Sequence, residues 1–196
     1  MDGLRLNIQE SGKVYLQNMF FNGWTHGHYL NCLFVFGPDG KIHLCVLNAP
    51  GTFHDSTMAD YSVYEAIEKI FLATGGKVVV DSAFGSGSRE FLVRSSQGDP
   101  VDGNAEDVTI NRAATSIRQL SEWGMRMIQG QFPRVTDTMV FETSGDRRVI
   151  LRLMVHIYNF QCSQIGHNII LSSFMENENG FFGHDHITPD ANEMLN

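Results

Sequence analysis

Three consecutive valines that end in an aspartate, residues 78–81, constrain the fold of this chain more than any other segment. Glycines bound the run on both sides, with Gly75 and Gly76 before it and Gly85 after it. A short β-branched run between turn-forming residues predicts a strand that is buried on both faces. Open α/β sheets bind their ligands at the carboxyl ends of strands, where Asp81 would lie. The run alone leaves Asp81 either as a ligand-binding carboxylate or in a structural role, as the N-cap of the next segment, 86–95, or as the end of a turn.

Composition bounds the class of protein. The chain has 196 residues, 42% of them hydrophobic and 18% charged, which is typical of one globular domain with a real core. Its net charge of −8 opposes broad, non-specific attraction to nucleic acid. The three cysteines are far apart and form no C-x-x-C pair, so we expect reduced thiols in an intracellular protein. No secretory signal is visible, and the apolar stretch 149–160 is too short to span a bilayer.

The first half of the chain has the pattern of strands. Residues 4–8 alternate with period two, and residues 14–16 continue that pattern. The apolar runs 29–36 and 41–47 are separated by Gly-Pro-Asp-Gly, a strong turn signal, so we expect a β-hairpin. Residues 48–52 should then end the sheet.

The second half has the pattern of helices around the valine strand. From residue 55 or 56 to 73, apolar side chains recur at steps of three and four and predict one core-facing stripe: Met58, Tyr61, Tyr64, Ile67, Ile70 and Phe71. We also expect a short helix at 89–94, a loop at 97–107, a long helix at 108–129 with Asp107 as its N-cap, and an apolar helix at 147–171. The fold class is α/β with a mixed sheet, residues 1–175 forming one domain and 176–196 an irregular tail.

Three acids have positions suited to a common site. Asp2 starts the first alternating strand, Asp81 ends the valine strand, and Glu122 lies at the edge of the core stripe of the long helix. Carboxylates from these elements would supply the hard oxygen ligands that Mg²⁺ prefers. Two such ions about 3.5–4 Å apart would clamp the attacking water and the leaving oxygen of a phosphodiester. For Glu122 a surface ion pair with Arg118, four residues earlier, is the alternative.

The chain resembles the DDE-superfamily endonucleases of the Harbinger/PIF transposase-derived group. The most specific matches are Pro50-Gly51-x-x-His54-Asp55-Ser56 and Val80-Asp81-Ser82-Ala83-Phe84. The other blocks follow in family order, and the resemblance covers about residues 1–160: Met1-Asp2-Gly3, residues 21–29, residues 36–42, and residues 111–122.

The resemblance implies an RNase-H-like fold and metal-dependent cleavage of DNA phosphodiesters. By resemblance, Asp2, Asp81 and Glu122 would form the catalytic, metal-binding triad for Mg²⁺ or Mn²⁺. DNA would be the substrate, no membrane association is expected, and we expect an intracellular, nuclear protein. The sequence does not indicate an oligomeric state.

Two further groups of residues could contribute to such a site. Asp55 or Ser56 is expected to cap the helix that follows, and the alternative is that His54 and Asp55 orient a ligand or phosphate beside the triad. Arg112, Arg118 and Arg126 form a basic series on the long helix that could contact DNA phosphates. An ordinary mixed surface is the alternative for these arginines.

The position of Asp2 leaves two functions open. Because Asp2 directly follows Met1, we expect a truncated first strand whose start frays. The first function is a metal-dependent nuclease domain that relies on a separate DNA-binding protein. The second is a truncated or repurposed relative that serves as a non-catalytic binding or scaffold module.

Overall fold

The computed structural model describes residues 1–81, 84, 89–94, 105–140 and 144–165, except the side chains of 105, 106 and 165. The predicted tail 176–196, residues 166–171 of the predicted last helix and most of the predicted loop 97–107 lie outside these residues.

A central strand organises the sheet. Strand β3 (Gly27–Phe36) pairs antiparallel with β1 (Asp2–Asn7) and with β4 (Ile42–Pro50). The β3–β4 turn contains Gly40 at φ 74°, a left-handed conformation that glycine adopts without strain, and Gly37 N–H donates to the Lys41 carbonyl over 2.9 Å. The predicted hairpin is therefore confirmed, although β4 continues to Pro50, beyond the predicted end of the sheet.

A second pair of strands lies beside the start of β1. Strand β5 (Val78–Val80) pairs in parallel with β6 (Leu92–Arg94). The amino group of Met1 donates to the Val79 carbonyl over 2.9 Å, which places the start of β1 beside β5. Strands β5 and β6 nevertheless form a two-stranded sheet of their own, separate from the sheet of β1 to β4. The predicted valine strand is confirmed and the predicted helix at 89–94 is wrong, because residues 92–94 pair with β5.

The start of the chain is held in place. Met1 is 4% exposed, and its amino group also donates to Ser121 Oγ over 3.4 Å. Burial lowers the pKa of this amino group to about 6. Every residue of β1 pairs with β3, from Asp2 opposite Phe34 to Asn7 opposite Tyr29. The predicted fraying of Asp2 is therefore wrong, because backbone pairing and burial fix this strand.

A short strand, β2 (Phe21–Asn22), pairs with the start of β3. It is preceded by helix α1 (Val14–Phe20), so the predicted strand at 14–16 is wrong. In this helix Leu16 and Phe20, four residues apart, pack on the core while Val14 and Tyr15 stay exposed. A helical spacing therefore explains burial here better than the predicted alternation.

The predicted helix at 55–73 is present in three consecutive pieces. Helix α2 (Asp55–Met58) runs through a π-helical turn (Ala59–Val63) into α3 (Tyr64–Thr74). The wider π turn rotates the apolar stripe, so Tyr61 is 72% exposed instead of facing the core with Tyr64. Tyr61 stacks on Phe53 at a ring-centroid distance of 5.8 Å. The predicted stripe is correct at Met58 but wrong at Tyr61 and, with 49% exposure, at Ile70.

The long helix α4 (Ala105–Gln131) is followed by α5 (Pro133–Thr136) and α6 (Ser144–Ile165). Asp107 lies inside α4, so its predicted role as N-cap is wrong. No helix in the described part of the chain is long and apolar enough to cross a membrane.

Helices cover the sheet on both faces, which confirms the predicted α/β class with an RNase-H-like mixed sheet between helices. Alternate residues of a strand point to opposite faces. On β3, Phe34 packs toward α4 and α6, whereas Leu33 packs toward α2 and α3. On β1, Leu4 and Leu6 lie on the α4 face. Asp2 therefore lies on the α4 face of β1, and Gly3 and Arg5 lie on the α2 face.

Two leucines of α6 test this packing. Leu151 is fully buried and Leu153 is 55% exposed. We expect Leu151→Ala to lower the free energy of unfolding by about 2–5 kcal/mol, because it removes buried methyl groups and leaves a cavity. The matched control Leu153→Ala should change it by less than about 0.5 kcal/mol. Urea denaturation measures both, and equal costs would contradict the packing of α6.

Candidate functional site

Asp2 is half-buried on the α4 face of the sheet, and its Oδ1 accepts a hydrogen bond of 2.8 Å from Gly3 N–H. Burial raises the pKa of its carboxyl, and repulsion from Asp81 and Glu122 raises it further, against the lowering effect of that hydrogen bond. The carboxyl of Asp2 is thus close enough to those of Asp81 and Glu122 to interact electrostatically with each of them.

Asp81 directly follows Val80, which is fully buried at the end of β5. The carbonyl of Asp81 accepts a hydrogen bond from Phe84 N–H over 3.3 Å, so the chain turns at this point. Because Met1 binds the neighbouring Val79 carbonyl, this turn lies beside Asp2. The start of the segment that Asp81 would alternatively cap, residues 86–88, lies outside the described residues, and residues 92–94 of that segment form β6.

Glu122 lies on α4, directly after Ser121, whose Oγ accepts a hydrogen bond from the amino group of Met1. Its Oε1 accepts a hydrogen bond from Arg118 Nη1 one helical turn earlier. The Arg118–Glu122 ion pair, which was the alternative to metal binding for Glu122, is therefore formed. The same carboxylate also repels Asp2, so the ion pair and the interaction with the other acids coexist.

Asp55 is a fourth acid of this group. It is the first residue of α2, where His54 occupies the N-cap position without a side-chain hydrogen bond, so the predicted cap by Asp55 or Ser56 is wrong. The Asp55 carboxylate lies over Gly3, where a Cβ atom would overlap both carboxylate oxygens. Burial raises the pKa of the Asp55 carboxyl, and repulsion from Asp2 and Asp81 contributes. We call Asp2, Asp55, Asp81 and Glu122 the acid group.

The acid group has the donor chemistry that a divalent cation requires. Its carboxylates are hard oxygen ligands, and their mutual repulsion would be relieved by positive charge. In the described part of the chain, no three His, Cys, Asp or Glu side chains converge closely enough to hold one ion. Binding would therefore require the carboxylates to approach one another, and Glu122 would have to leave Arg118.

The predicted phosphate-binding arginines differ in their surroundings. Arg118 is partly buried and bound to Glu122, whereas Arg112 and Arg126 are exposed on α4. His54, the other predicted neighbour of the triad, is exposed and lines a cleft on the α2 face of β1.

The sequence model of a family described as DDE superfamily endonuclease matches residues 1–157. The chain belongs to this family. The predicted resemblance to DDE-superfamily endonucleases is thereby confirmed, and the finer assignment to the Harbinger/PIF group stays a prediction. Membership implies a transposase-derived endonuclease domain with DNA as its substrate class, in a family that generally uses divalent metal ions. Searches of curated proteins and of solved structures found no match to this DDE endonuclease chain.

The contact between Gly3 and Asp55 can be tested by a double-mutant cycle. We expect Gly3→Ala to lower the free energy of unfolding by about 1–3 kcal/mol, because the new methyl group displaces the Asp55 carboxylate. In an Asp55→Ala background the same substitution should cost much less, since the overlapping atoms are gone.

The matched control for this cycle is Gly12→Ala, because a Cβ atom at Gly12 meets nothing within 4 Å. It should leave the urea midpoint nearly unchanged in both backgrounds. If Gly3→Ala cost the same with and without the Asp55 carboxylate, the placement of Asp55 in the acid group would be refuted.

Proposed function

We propose that this chain is a transposase-derived endonuclease domain that cleaves DNA phosphodiesters with Mg²⁺ or Mn²⁺ held by Asp2, Asp81 and Glu122. The observation that carries the proposal is the position of Asp2 on β1, between Asp81 at the end of β5 and Glu122 on α4, both of which contribute to raising the pKa of its carboxyl, in a chain of the DDE endonuclease family. When bound, the cations would neutralise charge on the scissile phosphate and lower the pKa of the attacking water.

Asp55 would support the triad from the opposite side of β1. Its carboxylate lies over Gly3 and repels both Asp2 and Asp81, so it adds negative charge that favours a cation. Its raised pKa makes it a better proton acceptor than an ordinary aspartate. In this proposal Asp55 therefore has two roles. It supports the triad electrostatically from the other face of β1, and it can accept a proton.

Arg118 would have two partners in turn. In the cation-free protein it balances the charge of Glu122. If Glu122 bound a cation, the guanidinium group of Arg118 would be available to a DNA phosphate, for which its planar fork of donors is well suited. Exposed Arg112 and Arg126 would add phosphate contacts along α4. These contacts are local, because the net charge of −8 gives no general attraction to DNA.

The second candidate function is a repurposed, non-catalytic binding or scaffold module. The observation that favours it is the ion pair between Arg118 and Glu122, which occupies the third acid of the triad. The domain boundaries are the same for either function. We propose that residues 1–175 form one domain, which includes the residues matched by the family and α6, and that 176–196 is a tail. A nuclear location and a separate DNA-binding partner also belong to the proposal.

Metal binding and nicking distinguish the two functions. We expect the purified chain to nick plasmid DNA with Mn²⁺, and Glu122→Gln to reduce the rate by at least about 100-fold, since even outer partners of metal ligands are worth about 10–100-fold. Calorimetry without DNA should show Mn²⁺ binding that Asp81→Ala abolishes.

The matched control is Glu65→Gln. Like Glu122, Glu65 forms an ion pair with a basic residue four positions away in a helix, here Lys69 on the exposed face of α3. It should leave nicking and metal binding unchanged. Nicking that survives Glu122→Gln would overturn the role of Glu122 in the triad. A native chain that neither binds metal nor nicks DNA would contradict the nuclease proposal and favour the non-catalytic module.

The competition between Arg118 and the cation gives a separate prediction. We expect Arg118→Ala to tighten Mn²⁺ binding by about twofold to fivefold, because Glu122 no longer has to leave an ion pair. The same variant should cleave DNA more slowly, since a phosphate contact is lost. Arg126→Ala is the control on the same helix, and it should weaken DNA binding without affecting metal affinity. Weaker metal binding in Arg118→Ala would show that Arg118 supports the site instead.

A further inference from the structure

A cleft of about 840 Å³ opens on the α2 face of β1, directly beside the acid group. Its volume lies within the range of roughly 300–1,000 Å³ that is usual for sites that bind small molecules. The lining comes from β1, the β2–β3 loop, β3 and the segment before α2. The polar and aromatic groups that matter for binding are Arg5, Asn22, Trp24, Asn31, His54 and Asp55.

Trp24 presents a flat aromatic surface at this cleft. Its side chain is 93% exposed, which is unusual for so large an apolar group. The loop that carries it is nevertheless fixed, because Asn22 Oδ1 accepts hydrogen bonds from Trp24 N–H over 3.1 Å and from Thr25 N–H over 3.2 Å. Asn22 Nδ2 in turn donates to the Gly51 carbonyl over 3.3 Å. An exposed aromatic ring on a held loop is suited to stacking against another flat ring.

Asn31 also lines this cleft, opposite Arg5 in the β1–β3 pairing. The residue is 5% exposed, and its Nδ2 donates to the Phe53 carbonyl over 2.7 Å. That bond fixes the orientation of the amide, since the opposite orientation would place two oxygens together. Among the described residues, Asn31 Oδ1 has no hydrogen-bond partner. A buried acceptor without a partner costs free energy. Because this oxygen is shielded from solvent, a ligand N–H would reach it and recover that cost only once the covering atoms shift.

A cation completes the set of binding groups. The guanidinium group of Arg5 is exposed and lies over the Tyr29 ring, 5.3 Å from its centroid, which limits its freedom. Arginine in this setting binds phosphate well. Asp55 lines the cleft and also belongs to the acid group, so a ligand in the cleft would contact Asp55 and lie across β1 from the proposed metal ligand Asp2.

We propose that this cleft binds one unpaired nucleotide of the DNA substrate. Its base stacks on Trp24 and donates an N–H hydrogen bond to Asn31 Oδ1, while its phosphate contacts Arg5. Stacking, a buried acceptor and a phosphate-binding cation within one cleft are the features by which proteins hold single-stranded bases. The inference rests on the proposed nuclease function and adds that the DNA is single-stranded or unpaired beside the cleaved bond.

Binding to the cleft can be measured without metal and without cleavage. The chain has two tryptophans, so in a Trp123→Phe background the fluorescence reports on Trp24 alone. We expect a short single-stranded deoxyadenosine oligonucleotide to quench this fluorescence. Fluorescence anisotropy of the labelled oligonucleotide should show about tenfold weaker binding to Trp24→Ala than to the native chain. Trp24→Phe should retain most of the affinity.

The matched control for Trp24 is Phe160→Ala, which removes an aromatic ring that is 64% exposed on α6. It should leave oligonucleotide affinity unchanged. An abasic nucleotide in place of every adenosine should abolish quenching. An oligonucleotide of purine, which lacks the exocyclic amino group of adenine, should bind about fivefold more weakly if that group donates to Asn31. This comparison uses the native chain, so a folding defect cannot explain it.

The outcomes separate this inference from the nuclease proposal. If Trp24→Ala binds the oligonucleotide as well as the native chain while Mn²⁺-dependent nicking is normal, the nucleotide site is overturned and the nuclease proposal stands. If Trp24→Ala weakens binding but the native chain never nicks DNA, the nucleotide site is supported and the nuclease proposal fails. Equal affinity for adenine and purine oligonucleotides would overturn the role of Asn31.

Discussion

The rest of the structure depends on the complete burial of β3. Its residues from Leu30 to Val35 are shielded from solvent on both faces, and both of its edges pair with neighbouring strands. Helices must therefore cover the sheet on both sides, and β1 must run along one edge of β3. The amino group of Met1 then joins β1 to β5. This single connection places Asp2, at the start of one strand, beside Asp81, at the end of another.

The cost of that arrangement is repulsion among half-buried carboxylates. The described structure offsets part of it with the Arg118–Glu122 ion pair. Burial first, and repulsion from the neighbouring acids second, raise the pKa values of Asp2 and Asp55. A divalent cation would offset it more completely. Asp55 connects this chemistry to the neighbouring cleft, because one face of β1 carries Asp2 and the other carries Gly3 and Arg5. A strand of six residues thus separates a proposed reacting centre from a proposed nucleotide site.

Local sequence patterns correctly predicted the secondary-structure elements that form from the properties of neighbouring residues. The Gly-Pro-Asp-Gly turn and its two apolar flanks form the hairpin, and the valine run forms β5. The predictions failed where a distant partner or an unusual turn decided the outcome. Residues 92–94 are a strand because β5 offers them a pairing edge, and Tyr61 is exposed because a π turn rotates its face. Neither cause can be derived from the residues concerned.

The sequence by itself determined the class of the fold, the family and the acids most suited to a common site. Strand ends and family motifs are local patterns of neighbouring residues, so they can be recognised without the tertiary structure. Only the tertiary structure decided which charges meet. It holds Asp2 by pairing and burial, gives Glu122 an arginine partner, and moves Asp55 from a helix cap to the acid group. It also brings Trp24 and Asn31 to one cleft. These contacts join strands and helices distant in sequence, and folding around a buried central strand is what makes them neighbours.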